Sequence, residues 1–107
     1  MVLPWRALQG GDEAGAAVLL QAVRAACARL TLKVILETGE LRDLLRVELA
    51  SRLALDAGAD FLKTSTGKMP VGATPEAATL MLQAIAADAD AAPRVGFKAA
   101  GGVRSVA

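Results

Sequence analysis

Residues 32–65 read LKVILETGELRDLLRVELASRLALDAGADFLKTS. Two short apolar runs, Leu32 to Thr38 and Asp60 to Ser65, flank a longer stretch with helical spacing. Gly39 closes the first run. Gly58 sits where a helix commonly ends in a left-handed residue. A strand, a helix and a second strand in so short a span imply parallel pairing, because the helix carries the chain back to the same end of the sheet.

The same alternation continues on both sides. Met1 to Pro4 reads as the end of a strand. Gly10-Gly11-Asp12 is a turn with Asp12 as N-cap, and a helix follows from about Glu13 to Leu30. Between the two quoted runs, Leu41 to Ala57 is one helix. Leu45, Leu49 and Leu53 form its apolar stripe, with Arg42, Arg46 and Arg52 toward solvent. Thr66 to Ala73 is a loop. Thr74-Pro75-Glu76 is a helix start, with Thr as cap, Pro at the first position and an early acid. That helix runs to about Ala87. Asp88 to Pro93 is a loop, and Arg94 to Ala99 is the last strand. Gly101-Gly102 then turns, and Ser105 could cap a further helix.

The order is β-α-β-α-β-α-β within a single domain over residues 1–107. The chain opens in mid-strand and stops where a helix would begin, so the pattern predicts a segment truncated at both ends. A (β/α)8 barrel takes about 250 residues. The fold class expected is therefore α/β, a partial (β/α)8 TIM barrel of about four parallel strands and three helices. A small open doubly wound sheet is the alternative.

Composition narrows the function. With 54% hydrophobic and 21% charged residues the chain is globular, and its net charge of +1 points to neither nucleic acid nor an acidic membrane surface. Histidine is absent, which removes the commonest general base and neutral metal ligand. The single cysteine, Cys27, excludes an internal disulfide and fits a reducing, cytoplasmic compartment. It lies in an alanine-rich helical stretch and reads as a small core residue. No window has the length and apolarity of a membrane span, and the N-terminus lacks the features of a signal peptide.

Chemistry concentrates on two lysines. Strand alternation puts Lys33, Ile35 and Glu37 on one face and Leu32, Val34 and Leu36 on the other. Phe61, Lys63 and Ser65 oppose Leu62 and Thr64; Gly96, Lys98 and Ala100 oppose Val95, Phe97 and Ala99. The aliphatic faces are expected to pack on helices, so the lysines face the barrel interior, with Gly96 and Ala100 leaving space beside Lys98. A primary amine attacks a carbonyl only when unprotonated, and about one free lysine in a thousand is neutral at physiological pH. Desolvation and a neighbouring cation both favour the neutral form. Lys63 with Lys98 beside it therefore suits Schiff-base chemistry. The competing reading is an interior lysine paired with a carboxylate, Glu37 above all. Lys33 fits that reading better, being far from the C-terminal rim where barrel active sites lie.

Around the lysines, Thr64, Ser65, Thr66, Gly67 and Lys68 offer groups for a polyol and an anion. Gly101-Gly102 before a potential helix start could present N–H groups to a phosphate. Arg104 beside them reads equally as a solvated surface charge.

At these residues the chain resembles the deoxyribose-phosphate aldolases, class I aldolases built on a (β/α)8 barrel. The matching runs are Leu32 to Leu41, Ala57 to Lys68, Ala73 to Glu76 and Val95 to Arg104. Met1 to Ala7-Leu8 also fits, with Leu3 and Trp5 where Phe and Tyr are usual. The resemblance covers essentially the whole chain, and the Lys-Thr-Ser-Thr-Gly block with Lys-x-x-Gly-Gly is highly specific.

The resemblance implies reversible cleavage of 2-deoxy-D-ribose 5-phosphate to acetaldehyde and D-glyceraldehyde 3-phosphate, in deoxyribonucleotide catabolism. It implies that Lys63 forms the Schiff base and that Lys98 keeps its amine neutral. Thr66 and Lys68 would contact substrate hydroxyls or phosphate. Gly67, Gly101, Gly102, Val103 and Arg104 would shape the phosphate site. The partner implied is a small phosphorylated sugar, with no metal, organic cofactor, nucleic acid or membrane. The family's aspartate for proton relay falls just before Met1, and its final strand, with a serine pair for phosphate, lies beyond this chain. Ala100 replaces a frequent proline, and Met69 to Gly72 is a variable loop. The alternative is a catalytically inactive fragment held by a second chain, or a homo-oligomer, through exposed sheet edges. A phosphate-binding module without chemistry is a third reading.

Overall fold

The computed structural model describes residues 1–68 and 72–99. Its elements in chain order are α1 (Trp5–Gln9), α2 (Glu13–Cys27), β1 (Lys33–Ile35), α3 (Thr38–Leu41), α4 (Leu44–Asp56), β2 (Phe61–Lys63), α5 (Pro75–Ala87) and β3 (Gly96–Lys98). The strands form one parallel sheet in the order β1-β2-β3. Val2 adds a parallel bridge to Ile35 on the outer side of β1. Two main-chain bonds of 2.8 Å hold it there, from Leu3 N–H to Ile35 and from Ile35 N–H to Met1. Three strands and a bridged segment thus stand where four full strands are expected.

The strands are shorter than the apolar runs, but their hydrogen bonding continues past the ends. Leu36 N–H donates to Lys63 and Thr38 N–H to Thr64, each at 2.9 Å. The regular pleat of β1 ends because Glu37 turns left-handed, at φ 57° and ψ 57°. Thr38 then belongs to a helical turn rather than to the strand.

Facing follows the alternation. Val34, Leu36 and Leu62 are buried against the helices, while Lys33, Ile35 and Lys63 are half-buried on the other face and Lys98 is exposed. Burying each large aliphatic side chain contributes about 1.5–3 kcal/mol, so this parity fixes which way the lysines point. Gly96 leaves less room than expected. It pairs with Phe61 across the ladder, and a Cβ added at Gly96 would run into the Phe61 ring.

Two helix starts are as read. Asp12 caps α2 by accepting from Gly15 N–H at 2.9 Å, and Thr74 caps α5 by accepting from Ala77 N–H at 3.2 Å. Gly58 has φ 95° just beyond α4. The helix expected over Leu41 to Ala57 is instead two. Arg42 is left-handed, and Asp43 caps a new start by accepting from Leu45 N–H at 2.9 Å. The buried face also differs. Val47, Ala50, Ser51, Ala54 and Leu55 face the core, whereas Leu45 is 74% exposed. Leu49 and Leu53 pack at the margin of that face. Arg46 is half-buried and donates to Gln9 O at 3.3 Å. Cys27 packs against the core at its edge.

An ionic knot secures the N-terminal ends of the strands. Asp60 Oδ2 accepts from Leu32 N–H at 2.8 Å and from Arg24 Nη1 at 2.9 Å, and Arg94 lies 3.6 Å from Oδ1. Arg24 also donates to the carbonyls of Gly58, Ala28 and Leu30. Among the described residues no helix is long and apolar enough to cross a membrane.

Candidate functional site

Lys63 and Lys98 are Cα partners in the β2–β3 ladder. Adjacent strands lie about 4.8 Å apart, and partners in register share a face. The two side chains therefore leave neighbouring strands side by side, at the C-terminal end of the sheet. Among the described residues neither lysine forms an ion pair, since every salt bridge is made by arginine. Lys33 lies two residues back on β1, at the opposite end of the short strand, and also has no ion-pair partner among them.

The turn after β2 is organised by side chains. Thr66 Oγ1 accepts from Lys68 N–H at 3.1 Å, and Gly67 between them has φ 84°. That conformation costs an L-residue roughly 1–2 kcal/mol, and glycine avoids the cost. Gly67 and Lys68 are exposed and Thr66 is half-buried, so the turn can meet a ligand. Thr64 and Ser65, expected to offer polyol contacts, lie beneath the surface of the described residues. Both are fully buried, and Ser65 Oγ donates to Thr64 Oγ1 at 3.2 Å.

Glu37 departs furthest from expectation. It is 1% exposed, yet it pairs with no lysine among the described residues. Its carboxylate instead receives Thr66 N–H, at 3.2 Å to Oε1 and 3.4 Å to Oε2. The left-handed backbone of Glu37 carries a cost of about 1–3 kcal/mol, so the surrounding bonds must hold it there. Sequence reading missed this contact. The available signal was an acid at the strand rim beside Thr38-Gly39, which marks a position but no partner.

Gly101, Gly102, Val103 and Arg104 lie outside the described residues, as do Ala100 and Met69 to Val71. Two cavities lined by described residues lie away from the lysines. The larger, about 690 Å³, lies between α4 and α5 and is lined by Arg52, Leu55, Leu80 and Ala84 among others. A second, about 400 Å³, is bounded by Thr38, Arg42, Val47 and Thr74 among others. On the lysine face, Phe61 and Lys98 are exposed and Lys63 is half-buried, while Glu37 and Ser65 are buried.

This arrangement can be set beside known proteins. The family model of the DeoC/LacD family aldolases matches residues 1–107. A deoxyribose-phosphate aldolase of Agrobacterium fabrum is 53% identical over 107 residues, covering 99% of this chain and 40% of the relative. A crystal structure described as a deoxyribose-phosphate aldolase from Coccidioides immitis has a TM-score of 0.86 at 33% identity, covering 97% of this chain and 40% of that one. QR15, an aldolase, has a TM-score of 0.79 at 31% identity, covering 96% of this chain and 43% of that one. The chain spans about two fifths of the length of these relatives. Their fold is the TIM barrel, of which three parallel strands with their helices are the corresponding part here. With sequence and fold in agreement over nearly its whole length, this chain belongs to the DeoC/LacD family of aldolases.

Proposed function

We propose that this chain carries the imine-forming part of a class I deoxyribose-phosphate aldolase. The observation that supports it most is the Lys63–Lys98 pair, opposite one another in register with no carboxylate partner among the described residues.

In the cleavage direction, Lys63 Nζ attacks the aldehyde carbon of open-chain 2-deoxy-D-ribose 5-phosphate. Loss of water leaves a protonated imine, which acts as an electron sink. The C3 hydroxyl loses its proton, the C2–C3 bond breaks and its electron pair enters the imine to give an enamine. D-glyceraldehyde 3-phosphate departs. Protonation of the enamine carbon and hydrolysis then release acetaldehyde and restore the amine. Lys98, its partner in register on the next strand, keeps the Lys63 amine neutral. Thr66, Gly67 and Lys68 hold the sugar hydroxyls or phosphate, and Gly101, Gly102, Val103 and Arg104 complete the phosphate site. The small phosphorylated sugar and the single cysteine are consistent with a cytoplasmic setting.

Borohydride reduction in the presence of acetaldehyde tests this. A covalent adduct on Lys63, lost in Lys63→Ala, is the expected result. No adduct in the intact chain at high aldehyde concentration would refute it.

β3 ends the sheet among the described residues, which favours a second reading: a catalytically inactive fragment that persists by pairing its exposed sheet edge with another chain. Sedimentation should then show a dimer or larger species. A monomer with cooperative unfolding would eliminate that reading.

A further inference from the structure

A buried carboxylate is unfavourable unless hydrogen-bond donors or a cation hold it. Glu37 has no cation among the described residues, and Thr66 N–H lies within reach of both its oxygens. The side chain is not spent on its own helix: Glu37 is the N-cap of α3 and makes no side-chain capping bond there. Its backbone is fastened to the neighbouring strand on both sides. Leu36 N–H donates to Lys63 O, and Thr38 N–H donates to Thr64 O. Glu37 is thus anchored opposite the lysine strand, and its carboxylate reaches past Ser65 to the turn. Thr66 passes the order on by accepting from Lys68 N–H around left-handed Gly67.

We infer that Glu37 is a positioning residue for the aldolase site. It sets the 66–68 turn, and through the turn it fixes where the phosphorylated end of the sugar lies relative to Lys63. The identity of that ligand rests on the function proposed above. Glu37 itself need touch no reacting atom.

The test is borohydride trapping with two carbonyls. Acetaldehyde carries neither phosphate nor hydroxyl and requires only Lys63. 2-Deoxy-D-ribose 5-phosphate also requires the turn. In Glu37→Ala the half-trapping concentration of the phosphorylated sugar should rise at least about tenfold, as for loss of a hydrogen bond to a charged group. That of acetaldehyde should change by less than about twofold. Glu37→Gln keeps an acceptor oxygen at the same reach and should recover most of the loss. If Glu37→Ala fails to fold, Glu37→Asp withdraws the carboxylate by one methylene and should show the same split with a smaller factor. An equal change for both carbonyls, or none for either, overturns the positioning role. If the unmodified chain traps neither carbonyl, the aldolase reading fails separately, and hydrogen exchange at the Thr66 amide decides the role of Glu37. Protection there should fall in Glu37→Ala and survive in Glu37→Gln. Unchanged protection in Glu37→Ala overturns the inference.

Discussion

Replacing Asp60 with alanine should cost the fold about 2 kcal/mol at neutral pH, and the part of that cost that depends on the carboxylate charge should vanish in acid. Three contacts set the magnitude. Leu32 N–H loses its carboxylate acceptor at 2.8 Å, and a buried N–H left unpaired costs about 1–3 kcal/mol. The Arg24 contact at 2.9 Å and the Arg94 contact at 3.6 Å add less, because the Asp60 side chain is 36% exposed and solvent screens it. The carboxyl is held below its usual value of 3.8, chiefly by the Leu32 N–H, next by the hydrogen bond from Arg24, and by the charges of Arg24 and Arg94, against the opposing effect of partial burial. A depressed carboxyl contributes stability that is fully present above the unfolded value and is lost as pH falls through the folded one. The difference between wild type and Asp60→Ala should therefore be constant from pH 7 to about pH 5 and shrink below about pH 4. Urea unfolding followed by far-ultraviolet circular dichroism measures both. Asp90→Ala is the internal control. Asp90 also pairs with Arg94, at 2.9 Å, but is 80% exposed, so its removal should cost less than about 1 kcal/mol. If Asp60→Ala costs no more than Asp90→Ala, or if its cost persists undiminished at pH 2, the knot is not what joins the strand starts.

Two further substitutions test the packing. Leu45→Ala should change stability by less than about 0.5 kcal/mol, since Leu45 is 74% exposed, whereas Val47→Ala at 1% exposure should cost about 1–3 kcal/mol; the reverse ranking in urea unfolding would restore the leucine stripe as the buried face. Thr38→Val should be neutral or stabilising by up to about 1 kcal/mol, because Thr38 Oγ1 is buried and unpartnered among the described residues; a clear loss of thermal stability would reveal a partner for that hydroxyl.

What the sequence made legible was local or periodic. The caps at Asp12 and Thr74, the left-handed Gly58 and the strand parity of Lys63 each depend on a few adjacent residues. The face of α4 was misread because its buried side is made largely of small residues, which a stripe of leucines does not mark. Ala50, Ser51 and Ala54 are buried there, and Leu45 is left outside. The break at Arg42–Asp43 was obscured for a related reason: an aspartate inside a helical pattern can point to solvent or cap a new helix, and nearby residues alone do not decide between them.

The lysine site was the harder problem, because its decisive contacts join distant positions. Glu37 and Thr66 are 29 residues apart, and Leu32 and Asp60 are 28 apart. An inventory of charges near β2 offers Asp60 before Lys63 and Glu37 across from it as counter-ions. Neither takes that role. Asp60 receives Leu32 N–H at the start of the strand, and Glu37 receives Thr66 N–H beyond its end. Each of these acids is engaged by main chain, one fixing where β2 begins and the other where its turn lies. The lysine between them is consequently held in register without being neutralised by either. A carboxylate close enough to pair with Lys63 would hold its nitrogen as an ammonium and block attack on a carbonyl. Binding the acids to backbone N–H groups rigidifies the strand while leaving the amine side of the sheet to Lys98.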